Sequence, residues 1–93
     1  MNDEEFEHLI NCLNVDLKGK VMDFITLDSF MLSRGLFTCY DGSDSKEIKE
    51  YKTITYCIDY YELYVTFDIL FIFSMDKFSE MNFNLKVKEI SEI

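Results

Sequence analysis

The amino-acid sequence predicts an α+β domain, with one or two N-terminal helices packed on a mostly antiparallel sheet of about four strands. Two patterns predict this fold class. Apolar residues near the N-terminus recur at the spacing of one helix face, whereas from residue 51 onward they alternate with polar residues as they do in half-buried strands. Helices followed by a run of strands are typical of domains in which the helices cover one face of a sheet.

The first helix is predicted from about residue 3 to residue 14. Asn2 and Glu5 have the spacing of a capping box, and the acidic residues between them lie where the helix dipole favours negative charge. The apolar stripe consists of Phe6, Leu9, Ile10 and Leu13, and the residues expected to point outward or to flank the stripe are Glu4, Glu7, His8 and Asn11.

A second helix is predicted over residues 27–34, with Thr26 or Asp28 as its N-terminal cap and Gly35 as its stop. Its apolar stripe is formed by Phe24, Leu27 and Met31. The residues 20–26 fit the start of this helix, a separate short helix or a strand, and the sequence does not choose between these three.

Four strands are predicted in the second part of the chain. A short aromatic strand at 36–40 is followed by a loop at 41–45, which is rich in turn-forming residues. Two alternating segments come next, and the parity of their apolar residues changes across 59–62, which predicts a tight turn or a bulge. The last strand places Lys86 and Lys88 on its solvent face. The sequence therefore predicts that these four strands form an antiparallel meander.

Size and charge limit the functions open to this chain. Its 93 residues are enough for one domain, 1–93, and 48% of them are hydrophobic, including nine Phe and six Tyr, so a packed core is expected. The 18 acidic residues outnumber the nine Lys and Arg, which gives a net charge of −9. This charge argues against binding to nucleic acid and to anionic membranes, whose phosphates attract Lys and Arg. It favours rapid encounter with a basic protein.

The three cysteines, Cys12, Cys39 and Cys57, are far apart in the sequence, and no charged-then-apolar targeting segment precedes them. We therefore expect all three thiols to be reduced and the protein to be cytoplasmic. No apolar run is long enough to form a membrane-spanning helix.

The sequence contains no recognisable catalytic or metal-binding set, so the protein is predicted not to be an enzyme and to need no cofactor. His8, the single histidine, lies one helical turn from Cys12, but the surrounding carboxylates disfavour a nucleophilic thiolate. Spacings typical of zinc ligands are absent. The loop at 41–45 begins like a calcium loop, but Lys52 stands where a calcium loop needs a glutamate.

The best candidate for a binding surface is a tyrosine-rich acidic segment at residues 59–64. Tyrosine provides rigid contact area, and carboxylates beside it can grip Arg and Lys side chains. Asp68 continues this surface if its strand face is exposed. The residues predicted to bind a partner are Asp41 and Asp44 in the loop, Asp59, Tyr60, Tyr61, Glu62, Tyr64 and Asp68 in the strand region, and Glu4 and Glu7 on the first helix. The alternative is a sheet whose tyrosine rings only cover the core.

The general character of the chain is similar to that of bacterial toxin-immunity proteins and of phage-encoded inhibitors of nucleic-acid enzymes, which are short and acidic. This likeness is one of class, and no motif carries it. It implies inhibition of a basic, nuclease-type toxin by occupation of the cleft that binds phosphate. The alternatives are a phage-encoded nucleic-acid mimic that acts on a host defence system, a small enzyme that uses a cysteine or an acid pair, and a homo-oligomeric structural protein.

Overall fold

The computed structural model of the protein describes residues 1–38, 52–71 and 83–93. Two helices and five strands lie in these ranges: α1 (Asp3–Leu17), β1 (Val21–Asp23), α2 (Phe24–Ser33), β2 (Phe37–Thr38), β3 (Thr53–Ile58), β4 (Tyr61–Phe71) and β5 (Asn84–Glu92). The strands form one antiparallel sheet on which the helices pack, so the predicted α+β fold is confirmed. The loop at 41–45, with Asp41 and Asp44, lies outside the described residues.

Strands β2 to β5 form the predicted four-stranded meander, because the strand order across the sheet is β1-β5-β4-β3-β2. The fifth strand, β1, pairs with β5 at one edge, with Met22 opposite Leu85. The described sheet thus has five strands rather than about four. The sequence does not distinguish helix from strand for residues 20–26, because a strand of three residues is too short to show an alternating pattern.

Helix α1 begins at the predicted cap. The side chain of Asn2 accepts a hydrogen bond from the backbone N–H of Glu5 at 2.8 Å. The helix continues to Leu17, which is buried, so the apolar stripe runs one turn beyond the predicted end. The residues expected to point outward, Glu4, Glu7, His8 and Asn11, are exposed. In the described ranges no helix is both long and apolar enough to cross a membrane.

Helix α2 begins earlier than predicted. Its cap is Asp23, whose side chain accepts a hydrogen bond from the backbone N–H of Thr26 at 2.8 Å. The expectation that Thr26 or Asp28 caps this helix is therefore wrong. Asp28 instead accepts a hydrogen bond from the hydroxyl of Tyr56 at 3.0 Å, which links α2 to β3. Because Tyr56 is fully buried, this bond gives its hydroxyl the partner that a buried polar atom requires.

The core lies between the two helices and one face of the sheet. Its helix residues are Phe6, Leu13, Leu17, Phe24, Leu27 and Met31, and its other members are Leu36, Ile54, Tyr56, Leu63, Val65, Phe67, Phe83, Leu85, Val87 and Ile90. The predicted alternation is confirmed in β3 and β4. The change of parity is a two-residue turn, because Ile58 pairs with Tyr61. Asp59 in this turn has a φ of +52°, a conformation that Asp tolerates better than most residues.

The cysteines do not share one state. Cys57 on β3 is disulfide-bonded, whereas Cys12 on α1 is a free thiol, and Cys39 lies outside the described residues. The expectation that all three thiols are reduced is therefore wrong, because separation along the sequence does not limit which sulfur atoms a fold brings together. Disulfides are more typical of oxidising compartments, so the cysteines do not support a cytoplasmic location.

The outer edge of β5 is closed by the N-terminal part of the chain. At Val87, the N–H of Gly19 donates to the carbonyl at 2.8 Å, and the N–H of Val87 donates to Lys20 O at 3.0 Å. At Ile90, Asn14 acts as a neighbouring strand would: its Nδ2 donates to Ile90 O at 2.8 Å, and its Oδ1 accepts from Ile90 N at 2.9 Å. Both polar groups of the Ile90 backbone are thus satisfied, and α1 is fixed to β5.

Replacing Asn14 with alanine is expected to lower the free energy of unfolding by about 2–4 kcal/mol, because both backbone groups of Ile90 lose a partly buried partner. Urea denaturation followed by circular dichroism measures this loss. The matched control is Asn11→Ala, an exposed position on the same helix, where a change within about 0.5 kcal/mol is expected. Equal losses in the two variants would contradict the role assigned to Asn14.

Candidate partner-binding site

The first turn of α1 and the β3–β4 turn meet at one end of the molecule. The hydroxyl of Tyr61 donates a hydrogen bond to Asp3 Oδ1 at 2.6 Å, and the amino group of Met1 lies 3.3 Å from Asp59 Oδ2. The ring of Phe6 stacks on that of Tyr61 with centroids 4.5 Å apart. These contacts bring together two segments that the sequence predicts separately to bind a partner.

We name this surface the acidic end. It consists of Asp3, Glu4 and Glu7 on α1, Asp59, Tyr60 and Glu62 at the β3–β4 turn, and Glu92 on β5. Glu92 is not among the residues predicted from the sequence. The pairing of β4 with β5 sets Glu92 opposite Leu63 and therefore close to Glu62, and no local pattern signals that register.

Tyr61 lies on the helix-facing side of the acidic end. Its hydrogen bond to the carboxylate of Asp3 raises the pKa of the Tyr61 hydroxyl above the usual value of 10.0, and partial burial and the charges of Asp3, Glu92 and Asp59 act in the same direction. The hydroxyl of Tyr61 is hydrogen-bonded to Asp3 and its ring is stacked on Phe6. Tyr61 therefore supports the acidic end from the core side. Direct contact of Tyr61 with a partner stays a prediction.

A small open pocket of about 240 Å³ lies in the acidic end. It is lined by Phe6, Tyr60, Tyr61, Glu62, Glu92 and Ile93. Among the described residues, no Lys or Arg forms an ion pair with Glu62 or Glu92. The pocket lies at the end of the sheet, where Glu92 is on the same face as Tyr61 and Glu62 is on the opposite face. The sequence predicts Phe6 only as a core residue, because its contact with Tyr61 depends on the tertiary fold.

The sheet face away from the helices carries the other predicted strand residues, Tyr64 and Asp68. The side chain of Asp68 is 48% exposed, as expected for a carboxylate in an apolar strand, and its Oδ1 lies 3.9 Å from Lys88 Nζ. Lys86 stands opposite Asp68 on β5. At about 3.3 Å per residue along β4, Asp68 lies roughly 26 Å from the β3–β4 turn. It is therefore not part of the acidic end, and Lys88 is its ion-pair partner.

A second concave surface begins at Glu4 in the acidic end and extends along α1 to Arg34 after α2. His8 Nε2 is 3.5 Å from Cys12 Sγ in a groove of about 490 Å³ that also includes Leu9 and Arg34. A Cys-His nucleophile needs a third group that orients the imidazole, and among the described side chains only Cys12 contacts His8 in this way. Nor do the described ranges hold a group of three His, Cys, Asp or Glu suited to a metal ion.

The fold and this site define an acidic α+β domain with a cluster of acidic residues and a small open pocket at one end. Comparison of the chain with protein-family models, curated proteins and solved structures finds no match.

Replacing Asp3 with alanine is expected to lower the pKa of Tyr61 toward 10.0, because the variant removes both the hydrogen bond and a nearby negative charge. Tyrosine labelled with ¹³C at the hydroxyl-bearing carbon reports this pKa by NMR across an alkaline titration. Glu7→Ala is the control, since it removes a carboxylate from α1 that does not act on Tyr61. A pKa that is the same in Asp3→Ala and in the unchanged protein would refute the assigned cause.

The hydrogen bond from Tyr61 to Asp3 makes the free energy of unfolding depend on pH. The pKa of Tyr61 is higher in the folded state than in the unfolded chain, so its contribution to stability is complete below pH 10.0 and is lost as the pH rises through the folded-state value. Thermal unfolding measured at increasing pH should show this loss in the unchanged protein and a smaller one in Asp3→Ala.

Proposed function

We propose that the protein inhibits a basic, nuclease-like protein by binding it through the acidic end, in the manner of a cytoplasmic toxin-immunity protein. One observation carries the proposal: acidic residues of α1, of the β3–β4 turn and of β5 form a single surface. The proposed mode is stoichiometric binding in which no reaction is catalysed.

The distribution of charge supports this mode of binding. The chain has a net charge of −9. Most of its described basic side chains are outside the acidic end, namely Lys18 and Lys20 after α1, Lys52 before β3, and Lys86 and Lys88 on β5, whereas Arg34 lines a groove together with Glu4. A surface that carries a cluster of negative charges attracts a positive cleft during diffusion, which raises the association rate.

The chemistry of the surface suits competition with nucleic acid. An enzyme that acts on nucleic acid binds phosphates with Lys and Arg, and carboxylates present the same sign of charge to that cleft. Tyr60 is fully exposed at the tip of the β3–β4 turn and adds a rigid aromatic contact. Charge then governs the encounter, and the aromatic ring contributes to the lifetime of the complex.

The partner can be identified by affinity capture from the source cell with the immobilised protein, followed by mass spectrometry. The proposal expects a basic protein whose nucleic-acid-cleaving activity falls in proportion to the amount of this protein added. A captured protein with an acidic surface, or one whose activity is unchanged at saturation, would overturn it.

Reversing two charges at the acidic end should slow association with that partner. Glu7→Lys combined with Glu62→Lys is expected to lower the association rate constant by about tenfold at low salt and to flatten its salt dependence. Stopped-flow fluorescence measures both quantities. Asp68→Lys combined with Glu89→Lys makes the same change in net charge on the sheet and should have a smaller effect. Equal effects of the two pairs would show that net charge, and not the acidic end, determines the rate.

A further inference from the structure

We propose that His8 and Cys12 on α1 chelate a divalent metal ion of the zinc type. His8 Nε2 lies 3.5 Å from Cys12 Sγ, and the thiol of Cys12 is free. Imidazole nitrogen and thiolate sulfur are typical ligands of Zn²⁺, which is a divalent ion that both ligand types suit. This inference goes beyond the proposed function and does not depend on it.

The distance between the two ligand atoms matches one edge of a tetrahedral zinc site. A Zn–N bond of about 2.0–2.1 Å and a Zn–S bond of about 2.3 Å, at a tetrahedral angle, place the nitrogen and the sulfur about 3.5 Å apart. The observed separation of Nε2 and Sγ is 3.5 Å. Both atoms can therefore bind one ion without any movement of the helix backbone. Binding of the ion releases the thiol proton of Cys12 to solvent, and the imidazole binds in its neutral form.

The helix holds the two ligands on one accessible face. His8 and Cys12 are four residues apart within α1, so they lie one above the other on successive turns. Both line the groove of about 490 Å³, which opens to solvent. The side chain of His8 is exposed, so its ring can rotate to direct Nε2 at an ion. A metal ion can thus reach the pair without unfolding any part of the helix.

The charges around the pair favour a cation. Glu4 and Glu5 lie one turn before His8 and line the same groove. Arg34 also lines it, but its guanidinium group lies 3.4 Å from the carboxylate of Asp16, which offsets its charge. The described ranges hold no group of three metal ligands, so two of the four tetrahedral positions remain for water or a nearby carboxylate. We therefore expect an ion that exchanges with solvent, unlike the ion of a closed structural zinc site.

The test titrates the full chain with Co²⁺, a spectroscopic substitute for Zn²⁺, in buffer without reductant so that the disulfide at Cys57 stays closed. A charge-transfer band from thiolate to Co²⁺ should appear, saturate at one ion per chain and disappear when Zn²⁺ is added. Excess Mg²⁺ should leave the band unchanged, because Mg²⁺ prefers oxygen ligands. The proposal is wrong if no band appears, if Mg²⁺ displaces the Co²⁺, or if the band saturates at one ion per two chains.

Variants of the two ligands test the chelate itself. Cys12→Ser should abolish the charge-transfer band. His8→Gln should weaken Co²⁺ binding by about tenfold or more, since the loss of even an outer-shell partner of a metal ligand has an effect of this size.

A matched control keeps both ligand types but separates them. Cys12→Ser combined with Val15→Cys retains one imidazole, one thiol on α1 and the same net charge, with about 10 Å of helix between His8 and the new thiol. Val15 is 81% exposed, so this variant is expected to fold. It should bind Co²⁺ as weakly as His8→Gln does. Binding as tight as that of the unchanged protein would contradict a chelate of His8 and Cys12.

Discussion

The position of α1 depends on the way the edge of β5 is closed. An open strand edge is a template for pairing with other chains, and here the backbone at Gly19 and Lys20 and the side chain of Asn14 occupy it. Fixing Asn14 fixes the helix, whose first turn lies roughly 16 Å away at about 1.5 Å per residue. That length carries Asp3 to the β3–β4 turn. The position of the acidic end therefore depends on an amide in the last turn of α1 that occupies the edge of β5.

Hydrogen bonds between tyrosine and aspartate link both helices to the sheet. Tyr56 on β3 donates to Asp28 on α2, and Tyr61 on β4 donates to Asp3 on α1. Two of the acidic residues thus have a structural role, as does Asp23 in capping α2. The excess of negative charge is not all available to a partner. What remains exposed at the acidic end comes mainly from Glu4, Glu7, Asp59, Glu62 and Glu92.

Local patterns in the sequence predicted most of the fold and part of the site. The spacing of Phe6 and Leu13, the alternation in β3 and β4 and the change of parity before Tyr61 each report on neighbouring residues, and each was confirmed. β1 is too short to show a pattern, and the disulfide at Cys57 and the place of Glu92 beside the turn depend on contacts between distant segments. For the same reason the tyrosine-rich segment was predicted as one surface, although its residues point to different sides of the sheet.

The acidic end also gathers the first and last described residues of the chain. The amino group of Met1 contacts Asp59, and Ile93 lines the pocket. Any polypeptide joined genetically at either position would emerge next to the carboxylates and could shield them. Labels and linkers are therefore better attached at Lys86 or Lys88 on β5. A probe at these positions leaves the acidic end accessible.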